Sequence, residues 1–228
     1  GNFAEANGGV NYNDGGNLTL INVTAGNNEA IRAGLTYNNK GTLTIEDSTI
    51  SDNNATYEAN TIINYGGNCY IYGNEFTQPT RTGIEILTDK KMQLENNYFT
   101  LNSTKQIMTG NQVTITSPIK DSSLSRNAYV KFNIGSTTYS VKKSSNNLVS
   151  KTLTFTTSGQ KIVTISYPSD YTNTIEINYN VKKAGEINVY TENDFYNAIN
   201  NAKKSSKDTT INVMNDIYVY DEITWKNS

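Results

Sequence analysis

Two acidic residues, Glu46 and Glu95, occupy equivalent places in segments that recur along the chain, with Tyr72 in the same column between them and Tyr70 beside it. If those segments are stacked strands, the two carboxylates lie roughly 9–10 Å apart, two rungs of sheet spacing. Inverting glycosidases hold their general acid and general base about 6.5–9.5 Å apart, so the pair is nearly suited to cleaving a glycosidic bond. Tyr72 stands between them, however, and no Arg or Lys is aligned to steady a substrate. The four residues are therefore expected to form a ligand-binding face, with the tyrosine rings stacking on sugar or packing on protein. No catalytic residue is assigned and the chain is expected not to be an enzyme. A polysaccharide-cleaving β-helix enzyme stays open as an alternative, and a passive stalk as another.

Other chemistries are narrower still. The chain has no His and a single Cys69, which removes zinc sites and His-dependent nucleophilic catalysis. Cys69 falls in an apolar column and reads as a small buried hydrophobe. Asn11, Asn13 and Asp14, or Asp52 and Asn53, offer oxygen ligands of the kind Ca²⁺ takes, but so Asn-rich a composition produces such clusters unaided. No metal and no cofactor are expected. An intramolecular isopeptide bond would need Lys and Asn on neighbouring strands beside a buried acid, for which Lys120, Asn178 and Glu176 are conceivable; Glu176 and Asn178 more naturally face water. Basic and acidic residues nearly balance, 19 against 21, which leaves no electrostatic footprint for nucleic acid or an anionic membrane. Sequons at Asn17, Asn22, Asn54 and Asn102 permit glycosylation, at no more than the frequency chance gives. No apolar run is long enough to span a bilayer. The chain opens inside a repeat without a Met or signal peptide and reads as a segment of something larger.

The elements that must position the face are the repeats. Asn17–Ile21, Thr42–Glu46, Asn68–Tyr72 and Lys91–Glu95 recur roughly every 23–26 residues, a period that marks stacked architectures. Leu18, Leu43, Cys69 and Met92 share one column, Leu20, Ile45, Ile71 and Leu94 a second, and Ala25, Ile50, Phe76 and Phe99 a third. The intervening residues alternate to the opposite side with the period of a strand. Asn22, Asp47, Gly73 and Asn96 follow each segment and are types that tolerate positive φ at a corner. A Gly column opens the units at Gly16, Gly41 and Gly67 and lapses at Lys90–Lys91. Counted back from it, Tyr37, Ile63 and Ile86 align, as do Leu35, Thr61 and Ile84, with Tyr12 and Val10 in an incomplete first unit. The reading is all-β, a right-handed parallel β-helix over 1–110. The leucine-rich repeat, of similar period, lacks its leucine spacing here.

After Asn111 the columns stop. Alternating strands at Gln112–Thr116, Ala128–Ile134, Thr137–Val141, Thr152–Thr156, Ile162–Tyr167 and Thr174–Val181 predict an Ig-like β-sandwich over 111–184. Its inward candidates are Ala128, Val130, Phe132, Ile134, Leu153, Phe155, Val163, Ile165, Ile175, Ile177 and Tyr179. In 185–228, Thr191 and Asp194 resemble a capping box, and Phe195, Ala198, Ile199 and Ala202 form a helical stripe with Lys203 and Lys204 in its last turn. Strands are expected at Thr210–Met214, Ile217–Tyr220 and Ile223–Trp225. Together they predict the helical cap and first strands of a further β-helix, the helix covering an otherwise open coil end.

The runs GNLTLINVT at Gly16–Thr24, GTLTIEDSTI at Gly41–Ile50, TNTIEINYNV closing the sandwich and YTENDFYNAINNAK with TTINV resemble the Asn/Thr-rich adhesin-like surface proteins of methanogenic archaea. The resemblance extends over nearly the whole chain as a domain order. It implies an extracellular, cell-wall-associated protein that attaches to carbohydrate or protein of another cell. No site residues are defined for that family, so none carries over.

Overall fold

The computed structural model describes residues 1–80, 84–90, 92–103, 107–168, 171–204 and 209–220. It is nearly all β and forms a parallel β-solenoid. The first coil comprises β1 (Phe3–Asn7), β2 (Asn11–Asp14), β3 (Asn17–Ile21) and β4 (Thr24–Gly26). The second repeats it as β5 (Glu29–Arg32), β6 (Thr36–Asn39), β7 (Thr42–Glu46) and β8 (Thr49–Ser51), and the third as β9 (Asn54–Ala55), β10 (Ile62–Tyr65), β11 (Asn68–Tyr72) and β12 (Glu75–Thr80). In the fourth, β13 (Ile86–Thr88) is followed by β14 (Gln93–Ser103), a single strand that pairs with both β11 and β12.

Stacking follows the sequence columns. Leu18 pairs with Leu43 and Leu43 with Cys69, while Leu20, Ile45, Ile71 and Leu94 lie in register through four rungs. Except for half-buried Leu18 and Leu20, these side chains are at most 1% exposed, and Phe76 stacks on Phe99 with ring centroids 4.3 Å apart. The corner column behaves as its residue types require: Asn22, Asp47, Gly73 and Asn96 have φ of 53°, 48°, 66° and 55°. The glycines at 41 and 67 answer a different need. A Cβ on Gly41 would sit 2.3 Å from the carbonyl oxygen of Gly16 and 2.4 Å from Asn13 Nδ2, so only hydrogen fits between the rungs.

That close approach makes room for stacked amides at the corners. Asn13 donates to Asn38 Oδ1 at 2.7 Å and Asn38 to Asn64 Oδ1 at 2.6 Å, each also bonding the carbonyl three residues ahead. A second ladder runs from Asn74 through Asn97 to Asn173, and a third from Asn2 through Asn28 and Asn53 to Gln78. These bonds satisfy backbone groups that the sharp turns would leave unpaired in the interior. The Asn and Asp clusters at Asn11–Asp14 and Asp52–Asn53 are spent here: Asn13 and Asn53 are ladder members, and Asp14 accepts from Asn39.

The fourth coil corrects the sequence register by one residue. Ile63 pairs with Leu87 and Ile62 with Ile86, and Asn60, not Thr61, bonds Ile84. The corner is one residue shorter there: in register Asp89 falls opposite Tyr65 and Lys90 opposite Gly67, so nothing stands where Lys40 and Gly66 take positive φ.

Beyond the fourth coil come β15 (Ile107–Met108), β16 (Gln112–Thr116), β17 (Ile119–Asp121), β18 (Tyr129–Ile134), β19 (Thr137–Lys142), β20 (Ser150–Thr154), β21 (Gly159–Ser166) and β22 (Tyr171–Lys182). β17 adds a parallel rung to β13, and β22 adds one to β14. A fifth coil therefore exists, with β18 to β21 inserted between its two strands. The inserted strands extend the same sheet antiparallel from β22, in the order β22, β21, β18, β19, while β16 pairs with β20. Val130, Phe132, Val163, Ile165, Ile175 and Ile177 are buried and Ile134, Leu153 and Ala128 half-buried, in or near a core continuous with the solenoid's. Lys120 on β17 lies in a different sheet from Glu176 and Asn178, which bond Tyr98 and Asn102 instead, so the three do not form an isopeptide site.

Next, β23 (Glu186–Val189), α1 (Glu192–Lys204) and β24 (Thr210–Val213) make a parallel pair with a crossover helix. The capping box is present, with Asp194 N–H donating to Thr191 Oγ1 and Thr191 N–H to Asp194 Oδ2. Ala198, Ile199 and Ala202 are its buried positions. Residues 217–220 form no strand, with Tyr218 and Tyr220 largely exposed and no neighbouring strand to pair with among the described residues. The strand expected at Ile223–Trp225 lies outside the described residues.

Candidate functional site

Strand alternation turns Tyr70, Tyr72, Glu46 and Glu95 outward while Cys69 and Ile71 point in. Tyr72 is directly paired with Glu46 on one side and Glu95 on the other, and Tyr70 with Thr44 and Gln93. All four predicted residues thus share one solvent-facing patch. The two rings stack at 6.4 Å between centroids and 28° between planes, and the Tyr72 hydroxyl donates to Gln93 Oε1. Loss of solvent around the ring, then the neighbouring Glu95, raises the Tyr72 phenol above its ordinary value, so it stays a neutral donor. The patch offers ring faces, a hydroxyl and acceptor carboxylates, the groups that hold a polyhydroxylated ligand. With Tyr72 interposed, the carboxylates do not face each other across an open cleft.

Cys69 is 1% exposed, and burial pushes its thiol up to about 12, which makes it an inert filler. Among the described residues no group of three or more Cys, Asp or Glu side chains is placed to hold a metal. No helix among them is long and apolar enough to cross a membrane.

A second aromatic patch, on the outer face of the sheet containing β2, β6 and β10, was not singled out from sequence. Tyr12 stacks on Tyr37 at 5.4 Å, and Tyr37 meets Tyr65 edge-on at 5.8 Å, across three consecutive rungs. Glu58 accepts from the Tyr65 hydroxyl at 3.0 Å and pairs with Arg32 at 3.3 Å, and the Arg32 guanidinium lies 5.2 Å from the Tyr57 ring centroid. Burial first, then Glu58, raises the Tyr37 phenol. Tyr12 and Tyr57 are 48% and 66% exposed. The column shared by Tyr12 and Tyr37 was visible in the spacing and was the available signal; Arg32 ends β5 and Glu58 follows β9, outside the columns that the spacing showed.

No family model, no curated protein and no solved structure matches this chain.

Proposed function

We propose that this chain is a non-catalytic segment of an extracellular, cell-surface adhesin-like protein that attaches to carbohydrate or protein of another cell. The observation that carries the reading is the clustering of tyrosine rings on two outward solenoid faces, Tyr70 and Tyr72 side by side on one rung and Tyr12, Tyr37 and Tyr65 on three successive rungs. Parallel rungs about 4.8 Å apart repeat a binding element along a rigid surface, which suits a polymeric or repetitive ligand. On this reading the strands β18 to β21, inserted in the fifth coil, belong to an Ig-like module and 185–220 is the cap of a further coil stack, as in the methanogen surface proteins that the sequence resembles.

Binding to glycan arrays and to intact cells tests it. Tyr70→Ala/Tyr72→Ala is expected to lower binding at least tenfold at the first patch, and Tyr12→Ala/Tyr57→Ala at the second, with the fold retained because all four rings are at least partly exposed. A protein that binds nothing, or binds unchanged after both double substitutions, is a stalk. The stalk reading draws on one observation of its own, that Tyr70 and Tyr72 already stack on each other and Tyr72 is bonded to Gln93. Product release from polysaccharide, abolished by Glu46→Gln, would instead make it an enzyme.

A further inference from the structure

Thr61 and Glu85, stacked on each other in successive coils just before β10 and β13, meet Gln78 of β12 in the interior, at 0%, 0% and 1% exposure. Gln78 Nε2 lies 2.6 Å from Thr61 Oγ1, and the Thr61 hydroxyl donates to Glu85 Oε2 at 3.0 Å. The carbonyl oxygen of Gln78 accepts the Asn53 backbone N–H at 2.8 Å, and Glu85 Oε1 accepts from Asn60 Nδ2 at 2.9 Å. Ladder duty alone does not account for this group. Asparagine serves at the preceding ladder positions, whereas glutamine reaches one methylene further, to the hydroxyl. A carboxyl in the same dry spot is costly unless something requires it.

The arrangement supplies the parts of an acyl-transfer site: a hydroxyl nucleophile, a base in contact with its proton, a side chain orienting that base, and a carbonyl with an N–H donor on its oxygen. We propose that Thr61 and Gln78 join in an intramolecular ester cross-link. Thr61 Oγ1 attacks Gln78 Cδ while the Glu85 carboxylate takes the hydroxyl proton, and the Asn53 N–H holds the oxyanion that forms. The Cδ–Nε2 bond then breaks, Glu85 returns the proton to the departing nitrogen, and ammonia leaves. Amide and alcohol become ester and ammonia, Glu85 is regenerated, and no other reagent enters. Fixed neighbours of this kind react at effective molarities on the order of 10⁵ M or more. Burial holds the Glu85 carboxyl up to about 7, where it exchanges protons readily near neutrality. Exclusion of water protects the product. In a chain whose only thiol is the buried Cys69, the bond would tie the corner before β10 to β12 of the same coil without a disulfide.

The cross-link stands on this geometry alone, whatever the chain binds. Intact-mass measurement of the purified protein is expected to find it one ammonia lighter than its sequence. Cleavage of the denatured chain after Glu58, Glu75 and Glu85 should leave fragments 59–75 and 76–85 joined, and hydroxylamine or mild alkali should part them. Thr61→Val is expected at full mass, Thr61→Ser still linked, and Glu85→Gln linked at least about 100-fold more slowly. Wild-type protein that stays at full mass after prolonged incubation at pH 8 while folded by circular dichroism overturns the proposal. So does a lighter protein whose two fragments separate on cleavage alone, or a Thr61→Val variant that remains lighter.

Discussion

Glu85 carries its carboxyl into the interior, where Asn60 and Thr61 donate to it, and burial raises it from an ordinary value near 4.5 to about 7. Because the folded protein holds this proton more tightly than the unfolded chain, the group's contribution is fully present below about pH 4.5. It is lost as pH rises through about 7, a swing on the order of 3 kcal/mol. Urea unfolding between pH 4.5 and 8 is expected to show that decline, and Glu85→Gln, which cannot ionise, to flatten it. An unchanged slope in the variant would mean that another group carries the proton. At the neighbouring stack, Phe76→Ala removes a ring in face-to-face contact with Phe99 and fully inside the core. It should cost about 3–5 kcal/mol in the same assay, against under 0.5 kcal/mol for exposed Tyr98→Phe.

The solenoid turns work as elements because a positive φ and an amide that caps exposed carbonyls meet at them, joined at the Gly41 and Gly67 corner by a rung with no Cβ. Asn97 bonds the Ile71 carbonyl and Asn173 and accepts from Asn74, all in the interior. Asn97→Ala therefore leaves buried groups unpaired and is expected to cost about 2–3 kcal/mol, read as a lower urea midpoint. Gly41→Ala should destabilise at least as much, since its new methyl meets the Gly16 carbonyl oxygen and the ladder amide of Asn13 together. The corner residues and interior columns were legible in the sequence because φ sign and strand alternation restrict residue type directly. The outward patch of Tyr70, Tyr72, Glu46 and Glu95 was legible for the same reason. The fourth-coil register was not, since the corner there lacks the residue that Lys40 and Gly66 supply in the coils before it. Nor was the meeting of Thr61, Gln78 and Glu85, since Glu85 stacks on Thr61 only in the corrected fourth-coil register and Gln78 reaches them from a different strand of the coil.

Across the whole molecule, the interruption between β17 and β22 hid the fifth coil from any search for a fixed period, although Asn173 continues the ladder that Asn74 and Asn97 begin. The consequence is mechanical. Leu94 through Asn102 pair with Tyr171 through Asn178, so the sheet, the amide ladder and the apolar core all cross from the solenoid into the inserted strands. A flexible linker would let the two parts unfold separately; here neither can open without exposing the other's interior edge. Thermal unfolding followed by amide exchange is expected to release the amides of β11, β14, β21 and β22 together, in one cooperative transition. Asn173→Ala, placed at the junction and bonded to the Leu94 carbonyl and to Asn97, should lower the midpoint of both parts equally. Two transitions, with the inserted strands melting first and the solenoid unmoved, would instead mark the junction as a hinge. On the proposed adhesin reading, one cooperative body is the scaffold that attachment through an outward face needs, since the sheet, ladder and core behind that face would then hold or fail together.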